Sequence, residues 1–178
     1  MIYTAHYSSP LGELLLAGQD SALVGLWIEG QKYYPDTMGD RSTEQNDLPI
    51  FTQTRQWLDR YFSGHRPPIE ELQLAPIGSA FRQAVWRILC EIPYGAVTTY
   101  REIAKTFAAR RGLETMSAQA VGGAVAHNPI SIIIPCHRVV GTSGSLTGYA
   151  GGIERKIQLL KLEGVDMTDL FVPKGAAK

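Results

Sequence analysis

Residues 132–141 read IIIPCHRVVG, and this stretch places a thiol, an imidazole and a guanidinium between two aliphatic runs. Isoleucine and valine normally lie in a core, where polar side chains are costly to bury unless they are paired. Cys136, His137 and Arg138 are therefore either a satisfied polar group within a core or a reactive thiol on a rigid support. The aliphatic residues before Pro135 predict a buried strand that ends at the proline.

The pattern leaves two roles open for Cys136. Free cysteines are among the most buried residues in proteins, so a structural role is common. A reactive role is favoured because the thiol follows a strand end, because His137 and Arg138 come next, and because glycine-rich sequence follows at 141–152. Positive groups beside a thiol lower its pKa and supply the nucleophilic thiolate.

His137 is the candidate base for this thiol. Adjacent side chains in extended backbone point to opposite faces, so we expect a water molecule to bridge Cys136 and His137. Such a base needs an orienting carboxylate, and the candidate is Glu163, near the end of the last predicted helix. Its position alone favours an ordinary solvated glutamate.

The composition indicates a cytoplasmic protein with free thiols. The chain has 178 residues, a formal net charge of zero and two cysteines, Cys90 and Cys136. Two cysteines make no disulfide framework, and the cysteines and histidines lack zinc-site spacing, so we predict no metal. No segment is long and apolar enough for a membrane span, and residues 1–18 lack the pattern of a secretory signal.

A change in charge and periodicity divides the chain near residue 77. Residues 1–77 carry 5 basic and 10 acidic side chains, a net charge of −5, whereas 78–178 carry 12 and 7, a net charge of +5. The second part is therefore the one that can approach a polyanion. The first part has patterns typical of strands over 1–30, a polar loop over 30–48 and a helix over 49–62.

The second part is predominantly helical. Thr99 and Glu102 form a capping box, and Ser117 can cap a later helix. That later helix contains no lysine or arginine, and its small residues fit either tight helix packing or close approach to a ligand. Two short helices before a strand are typical of a helix-turn-helix or winged-helix module. The predicted helices cover residues 79–92, 99–109, 117–128 and 154–164.

Three stretches carry a family resemblance: SAQAVGGAVAHNP at 117–129, NPISIIIPCHRVV at 128–140 and GYAGGIERKIQLLKLEG at 148–164. With them the chain resembles the methylated-DNA–protein-cysteine methyltransferases, also called O6-alkylguanine-DNA alkyltransferases. The resemblance is strong over 78–164 and loose before it. It implies an α+β or α/β fold. A ribonuclease H-like sheet domain would cover 1–77, and a winged-helix domain with the active-site cysteine would cover 78–178.

The resemblance implies direct DNA repair. A methyl or larger alkyl group would pass from O6 of guanine, and less readily from O4 of thymine, to Cys136. The thioether product is not reversed by thiol–disulfide exchange, so the cysteine would act once per molecule, and the chemistry needs no cofactor. The expected partner is double-stranded DNA, bound by a monomer in the minor groove with the damaged nucleotide flipped out.

The resemblance also implies roles for individual residues. Cys136 would accept the alkyl group, His137 would activate it through water, and Glu163 would polarise the histidine. Asn128 would brace the turn before the cysteine, and Tyr100 would assist guanine as a leaving group. The expected DNA- and substrate-binding residues are Ser117, Gln119, Arg138, the carbonyl of Val139, and Tyr149 and Ala150 of the pocket loop.

Two features depart from the family pattern. Gln119 stands where the family usually has an arginine that fills the gap left by the flipped base, and a glutamine lacks the charge and plane of a guanidinium. We therefore expect weaker base extrusion. The stretch between Tyr100 and Gln119 is also longer than usual, and its Arg110 and Arg111 fit either phosphate contacts or a solvated basic loop.

Three other functions are compatible with parts of the sequence. An alkyltransferase-like module that senses lesions without repair lacks the acceptor cysteine, as the resemblance goes, so Cys136 argues against it. A cysteine hydrolase would turn over many times, but adjacent Cys136 and His137 are poorly placed for a direct dyad. A winged-helix regulator would bind a defined DNA sequence and would keep its function after Cys136→Ala.

Overall fold

The computed structural model describes residues 1–35, 38 and 41–175. The chain divides into two compact units, of which the first contains Met1–Ile77 and Pro129–Ile133. The second contains Gly78–Asn128 and the residues from Ile134 onward. The predicted mixed fold, with an N-terminal sheet and a helical C-terminal part, is confirmed. Within the described ranges, each helix is too short or too polar for a membrane span.

A four-stranded sheet in the order β3-β2-β1-β4 forms the first unit. Its strands are β1 (Ile2–Ser9), β2 (Gly12–Gln19), β3 (Ala22–Ile28) and β4 (Ser42–Glu44). β1 pairs antiparallel with β2 and parallel with β4, and β2 pairs antiparallel with β3. β3 is buried along its whole length, and isolated parallel bridges join Leu23 to Leu74 and Leu26 to Ile130. The prediction of a loop over 30–48 is wrong at β4.

Helix α1 (Pro49–Phe62) packs on the sheet of this unit, as its spacing predicts. Pro49 lies in the first turn, where the N–H that proline lacks would have no helical partner. The approach is close at Gly18 of β2, where an added Cβ would lie 3.1 Å from the side chain of Ile50. The buried residues recur every three or four positions, as on one helix face: Ile50, Phe51, Thr54, Trp57, Leu58 and Tyr61.

The second unit contains four helices and a short parallel pair, β5 (Thr98–Thr99) and β6 (Val139–Val140). The helices are α2 (Ala80–Leu89), α3 (Tyr100–Arg111), α4 (Ala118–Ala126) and α5 (Ile153–Leu162), which confirms the four predicted helices to within a few residues. Ser79, Thr99 and Ser117 cap α2, α3 and α4, because each side-chain oxygen accepts from a backbone N–H three residues later.

The predicted strand before Pro135 is wrong. Residues 131–133 form a turn, and Ile130 makes only an isolated bridge. Ile132 has a φ of 72°, in the left-handed region that β-branched residues rarely adopt. The isoleucines of this run are nevertheless buried. Because a short apolar run looks the same in a strand and in a buried turn, the pattern predicts burial but not backbone conformation.

Candidate active site

Cys136 lies in a one-turn 3₁₀ helix, Cys136–Arg138, that follows Pro135. The residue is buried, and its backbone N–H donates to the carbonyl of Ile134 at 2.8 Å. The side-chain amide of Asn128 donates to the same carbonyl at 2.9 Å and so fixes the turn before the cysteine. The expected extended backbone is wrong here. In a 3₁₀ helix, neighbouring side chains differ by about 120° around the axis, so Cys136 and His137 do not point to opposite faces.

Glu163 is the centre of a buried hydrogen-bonded network. Its carboxylate lies 2.6 Å from Nε2 of His137, and it accepts from Nε and Nη2 of Arg138 at 2.7 and 3.1 Å. Nη1 of Arg138 donates to the carbonyl of Ile92 at 2.7 Å. The side chain of Glu163 is fully buried, so the alternative of a solvated glutamate is excluded. Arg138 also lies inside the unit, with all three guanidinium nitrogens bonded to protein.

The surroundings set the protonation states of this network. Burial lowers the pKa of His137 despite the opposing effect of Glu163, so the imidazole is neutral at neutral pH. Burial opposes ionisation of Glu163, but hydrogen bonds and charge from His137 and Arg138 hold its pKa at about 2. Because the carboxylate is an acceptor only, Nε2 of His137 carries the proton. Nδ1 is then a buried acceptor, and it has no hydrogen-bond partner among the described residues.

The thiol of Cys136 is protonated in the resting protein. Burial raises its pKa, and this outweighs the lowering by the Asn128 side chain, by the charge of Lys156 and by backbone N–H groups. The expectation that its neighbours leave it with a lowered pKa is therefore wrong. The groups that stabilise a thiolate are present, but a base must take the proton before the sulfur becomes nucleophilic.

Lys156 is a site residue that the sequence analysis missed. Its side chain is buried, and Nζ donates to the carbonyls of Val139 at 2.5 Å and Thr147 at 3.1 Å. Burial lowers its pKa to about 8, although the thiolate of Cys136 would raise it. Its spacing was an available signal, because Lys156 precedes Glu163 by two helical turns on α5 and so shares its face.

Tyr100, the first residue of α3, contacts the glycine-rich loop. Its hydroxyl donates to the carbonyl of Thr147 at 3.1 Å. Gly148 permits this contact, because its φ is 88° and an added Cβ would lie 2.4 Å from that hydroxyl oxygen. Burial, with the nearby Cys136 thiolate, raises the pKa of Tyr100, which is therefore a proton donor at neutral pH.

Tyr149 brings the pocket loop to the histidine. The centroid of its ring lies 6.5 Å from that of His137, in an edge-to-face arrangement. Its hydroxyl is buried and has no hydrogen-bond partner in the part of the chain that the structure describes. Ala150, the next residue, is half-buried. Tyr149 therefore lies beside His137, a member of the hydrogen-bonded network around Glu163.

Ser117 and Gln119 lie apart from this buried network, on the exposed first turn of α4. The hydroxyl of Ser117 accepts from the backbone N–H of Ala120 at 3.2 Å. An added Cβ on Gly122 would lie 3.8 Å from the ring of Tyr100, so small residues let α4 approach that ring. The structure also holds no cluster of three or more His, Cys, Asp or Glu side chains suited to a metal ion among its described residues.

The second unit thus holds a buried cysteine, a histidine next to it in the chain that is hydrogen-bonded to a buried glutamate, and a helix of small side chains. The family model of the 6-O-methylguanine DNA methyltransferase DNA-binding domain matches residues 80–165. The model of the ribonuclease-like domain of the same proteins matches residues 2–76. The chain belongs to the methylated-DNA–protein-cysteine methyltransferase family.

Individual relatives agree with this assignment. The methylated-DNA–protein-cysteine methyltransferase of Haemophilus influenzae is 40% identical over 168 residues, which cover 94% of this chain and 89% of the relative. That of Mycobacterium bovis is 44% identical and covers 92% and 93%. The crystal structure of Mycobacterium tuberculosis OGT in complex with DNA superposes with a TM-score of 0.79 at 40% identity, covering 91% of this chain and 93% of that one.

Proposed function

We propose that this chain repairs DNA by moving a methyl or other alkyl group from O6 of guanine, and less readily from O4 of thymine, to Sγ of Cys136. The observation that carries the proposal is the buried Cys136 beside a neutral His137 that Glu163 orients. In the reaction Sγ forms a bond to the alkyl carbon and the bond from that carbon to O6 breaks. The thiol proton ends on the released guanine, and the product is an S-alkylcysteine that acts only once.

His137 is the base in this proposal. Nδ1 is its unprotonated nitrogen, and a water molecule between Nδ1 and Sγ would relay the thiol proton. The imidazolium that results would lie 2.6 Å from the Glu163 carboxylate, which stabilises it. The positive charge of Lys156 would stabilise the thiolate of Cys136.

Tyr100 would donate a proton to the leaving guanine, and its phenolate would then recover the proton that His137 took from the thiol, so that the net proton transfer is from Sγ to guanine. Its hydroxyl is protonated at neutral pH and now donates to the carbonyl of Thr147, so it would turn from that carbonyl to N3 of the bound base. Tyr149 would form an aromatic wall of the base pocket, with the backbone of Ala150 facing the lesion oxygen. The carbonyl of Val139 already accepts from Lys156, and its second lone pair would be left for the guanine amine.

The DNA partner would be a duplex bound in its minor groove, with α3 and α4 as the helix-turn-helix of a winged-helix module. On the exposed first turn of α4, Ser117 would contact the DNA backbone and Gln119 would fill the gap left by a flipped nucleotide. Its small side chains support close approach. The chain would act as a monomer in the cytoplasm, without a cofactor.

Arg138 and Asn128 have positioning roles in this proposal. Arg138 holds Glu163 through two hydrogen bonds, so we now assign it to the orientation of the carboxylate in place of the DNA contact first expected. Asn128 holds the turn that presents Cys136.

The test is mass spectrometry of the intact protein and its peptides after incubation with an oligonucleotide that contains O6-methylguanine. We expect a mass gain of one methyl group, mapped to Cys136 and saturating at one per protein. Cys136→Ser is the matched control and should gain nothing. Lesion binding without a gain would indicate a sensing module, and repeated turnover would indicate a hydrolase. Either outcome would overturn the proposal.

A further inference from the structure

Three arginines surround a small pocket at the carboxyl ends of α2 and α3. The pocket has a volume of about 160 Å³ and is lined by Arg87, Arg110, Arg111, Ala84, Ile88 and Phe107. All three arginines are exposed, whereas Phe107 is buried at its base. An anion in this pocket could therefore contact several guanidinium groups, which lie around apolar side chains.

Two of the three guanidinium groups, those of Arg110 and Arg111, are held in place by a neighbouring side chain, and among the described residues only that of Arg110 is ion-paired. Arg110 is anchored by Glu91, to which Nη2 donates at 2.6 Å. The guanidinium carbon of Arg111 lies 5.3 Å from the ring centroid of Phe107, a cation–π contact that limits its rotation. Arg87 and Arg111 have no ion-pair partner within the described residues. At least two positive charges thus remain available.

Stabilisation of the end of α3 does not account for this cluster. Cations at a helix carboxyl terminus often serve its free carbonyls. Here the N–H groups of Gly112 and Leu113 already cap that end, with bonds to the carbonyls of Ala108 and Ala109. Arg87 lies in the last turn of a different helix, α2, so the three arginines come from the ends of two helices.

The cluster stands close to the helix that we expect to meet DNA. Five residues lie between Arg111 and Ser117, the cap of α4, and the six residue steps from one to the other span at most about 20 Å. That distance equals roughly six base-pair steps of a duplex. α4 itself contains no charged residue, and the polar side chain of its first turn is that of Gln119. The positive charge that α4 lacks lies instead on the helix before it.

We infer that Arg87, Arg110 and Arg111 form a phosphate-binding site that holds the DNA backbone beside α4. The inference rests on the proposed function, since it assumes that DNA is the partner. The site would hold the duplex by charge alone and would not read its sequence. It assigns a use to the long segment between Tyr100 and Gln119, which the alkyl-transfer chemistry leaves unexplained.

The experiment measures affinity for an unmodified duplex by fluorescence anisotropy over a series of salt concentrations. Arg87→Ala/Arg111→Ala is compared with Lys32→Ala/Arg41→Ala, which removes the same charge from exposed positions of the first unit. The slope of log K against log salt should become less negative by roughly 0.9 for each lost phosphate contact, but only in the first variant. Equal slopes in the two variants would overturn the inference.

A second variant is expected to strengthen binding, so misfolding cannot imitate its effect. Glu91→Gln removes the negative charge beside Arg110 and should tighten binding at low salt, whereas Asp47→Asn, an exposed carboxylate of the first unit, should not. Equal affinities would contradict the inference. Methyl transfer to the unaltered protein is measured in a separate experiment. A negative result for the phosphate site would therefore leave the proposed function untouched.

Discussion

The interiors of the two units differ in charge. Among the described residues of the first unit, the buried polar ones are Thr4, Gln31, Thr54 and Ser131, none of which ionises near neutral pH. The second unit buries His137, Arg138, Lys156 and Glu163. Burying ionisable groups is unfavourable unless they are paired, and even a paired set is a poor source of stability. The first unit shows that this chain can form a core without them, so their place beside Cys136 indicates chemistry.

The largest expected effect is on the stability of the buried network. Glu163→Gln removes the carboxylate that pairs with Arg138 and His137, and leaves Arg138 buried without a counter-charge. We expect a loss of about 3–5 kcal/mol in the free energy of unfolding, measured by urea denaturation. Thr54→Val, which removes a buried hydroxyl that donates to Ile50 in the first unit, should lose only about 1 kcal/mol. Equal losses of stability in Glu163→Gln and Thr54→Val would show that the charged interior of the second unit is no more sensitive than the uncharged interior of the first.

The same carboxylate predicts a pH dependence. The pKa of Glu163 is about 2 in the folded protein, below its ordinary value of 4.5, which applies to the unfolded chain. Between these values the unfolded chain binds more protons, so the contribution of Glu163 is complete above 4.5 and is lost as the pH falls to 2. The unaltered protein should lose roughly 3 kcal/mol more than Glu163→Gln across this window. Parallel stability profiles from urea denaturation would contradict the assignment.

Lys156 tests whether a buried charge serves the reaction. Lys156→Met removes a charge that favours the Cys136 thiolate, so we expect methyl transfer to slow by roughly 10–100-fold. Because the pKa of Lys156 is about 8, its charge is present below that pH and lost above it. A fall in rate near this pH should be seen in the unaltered protein and should be absent in the variant. A large loss of stability without these kinetic changes would indicate a structural lysine.

The smallest expected effect concerns the exposed helix outside the network. Gln119→Arg restores a guanidinium at the first turn of α4, and we expect repair of duplex DNA to become a few-fold faster. Repair of single strands, where no base has to leave a stack, should change less. Equal changes on both substrates, measured as methyl transfer rates, would show that Gln119 does not act in base extrusion.

The regular elements could be predicted because their signals are local. Ser79, Thr99 and Ser117 cap helices at the predicted starts, and the apolar spacing of α1 gives its bounds. The turn before Cys136 could not be predicted. It depends on a hydrogen bond from the side chain of Asn128 to the carbonyl of Ile134 and on a positive φ at Ile132. Neither feature can be predicted from the spacing of apolar residues.

The residues of the proposed site come from the family resemblance, whereas their electrostatics depend on the fold. Cys136, His137 and Glu163 are predicted from the family resemblance, and the structure joins His137 to Glu163 by a hydrogen bond next to the buried cysteine. The raised pKa of Cys136 and the internal position of Arg138 depend on burial, which involves the whole unit. In the sequence Arg138 is a positive neighbour of a thiol. In the structure its partner is the carboxylate of Glu163, 25 residues further along the chain.

The segment Pro129–Ile133 has a consequence for dividing the protein. It belongs to the first unit, where the carbonyl of Pro129 accepts from Leu26 and the N–H of Ser131 donates back to the same residue. A gene cut at residue 77 would therefore leave the first fragment without residues 129–133 of its folding unit, while the second fragment would keep its whole unit together with that foreign segment. Expressed together, the fragments should complete the first unit only when the segment 129–133 of the second fragment binds β3 of the first. Three residues beyond this segment lies Cys136, so reassembly of the split halves could be read directly from the return of alkyl transfer.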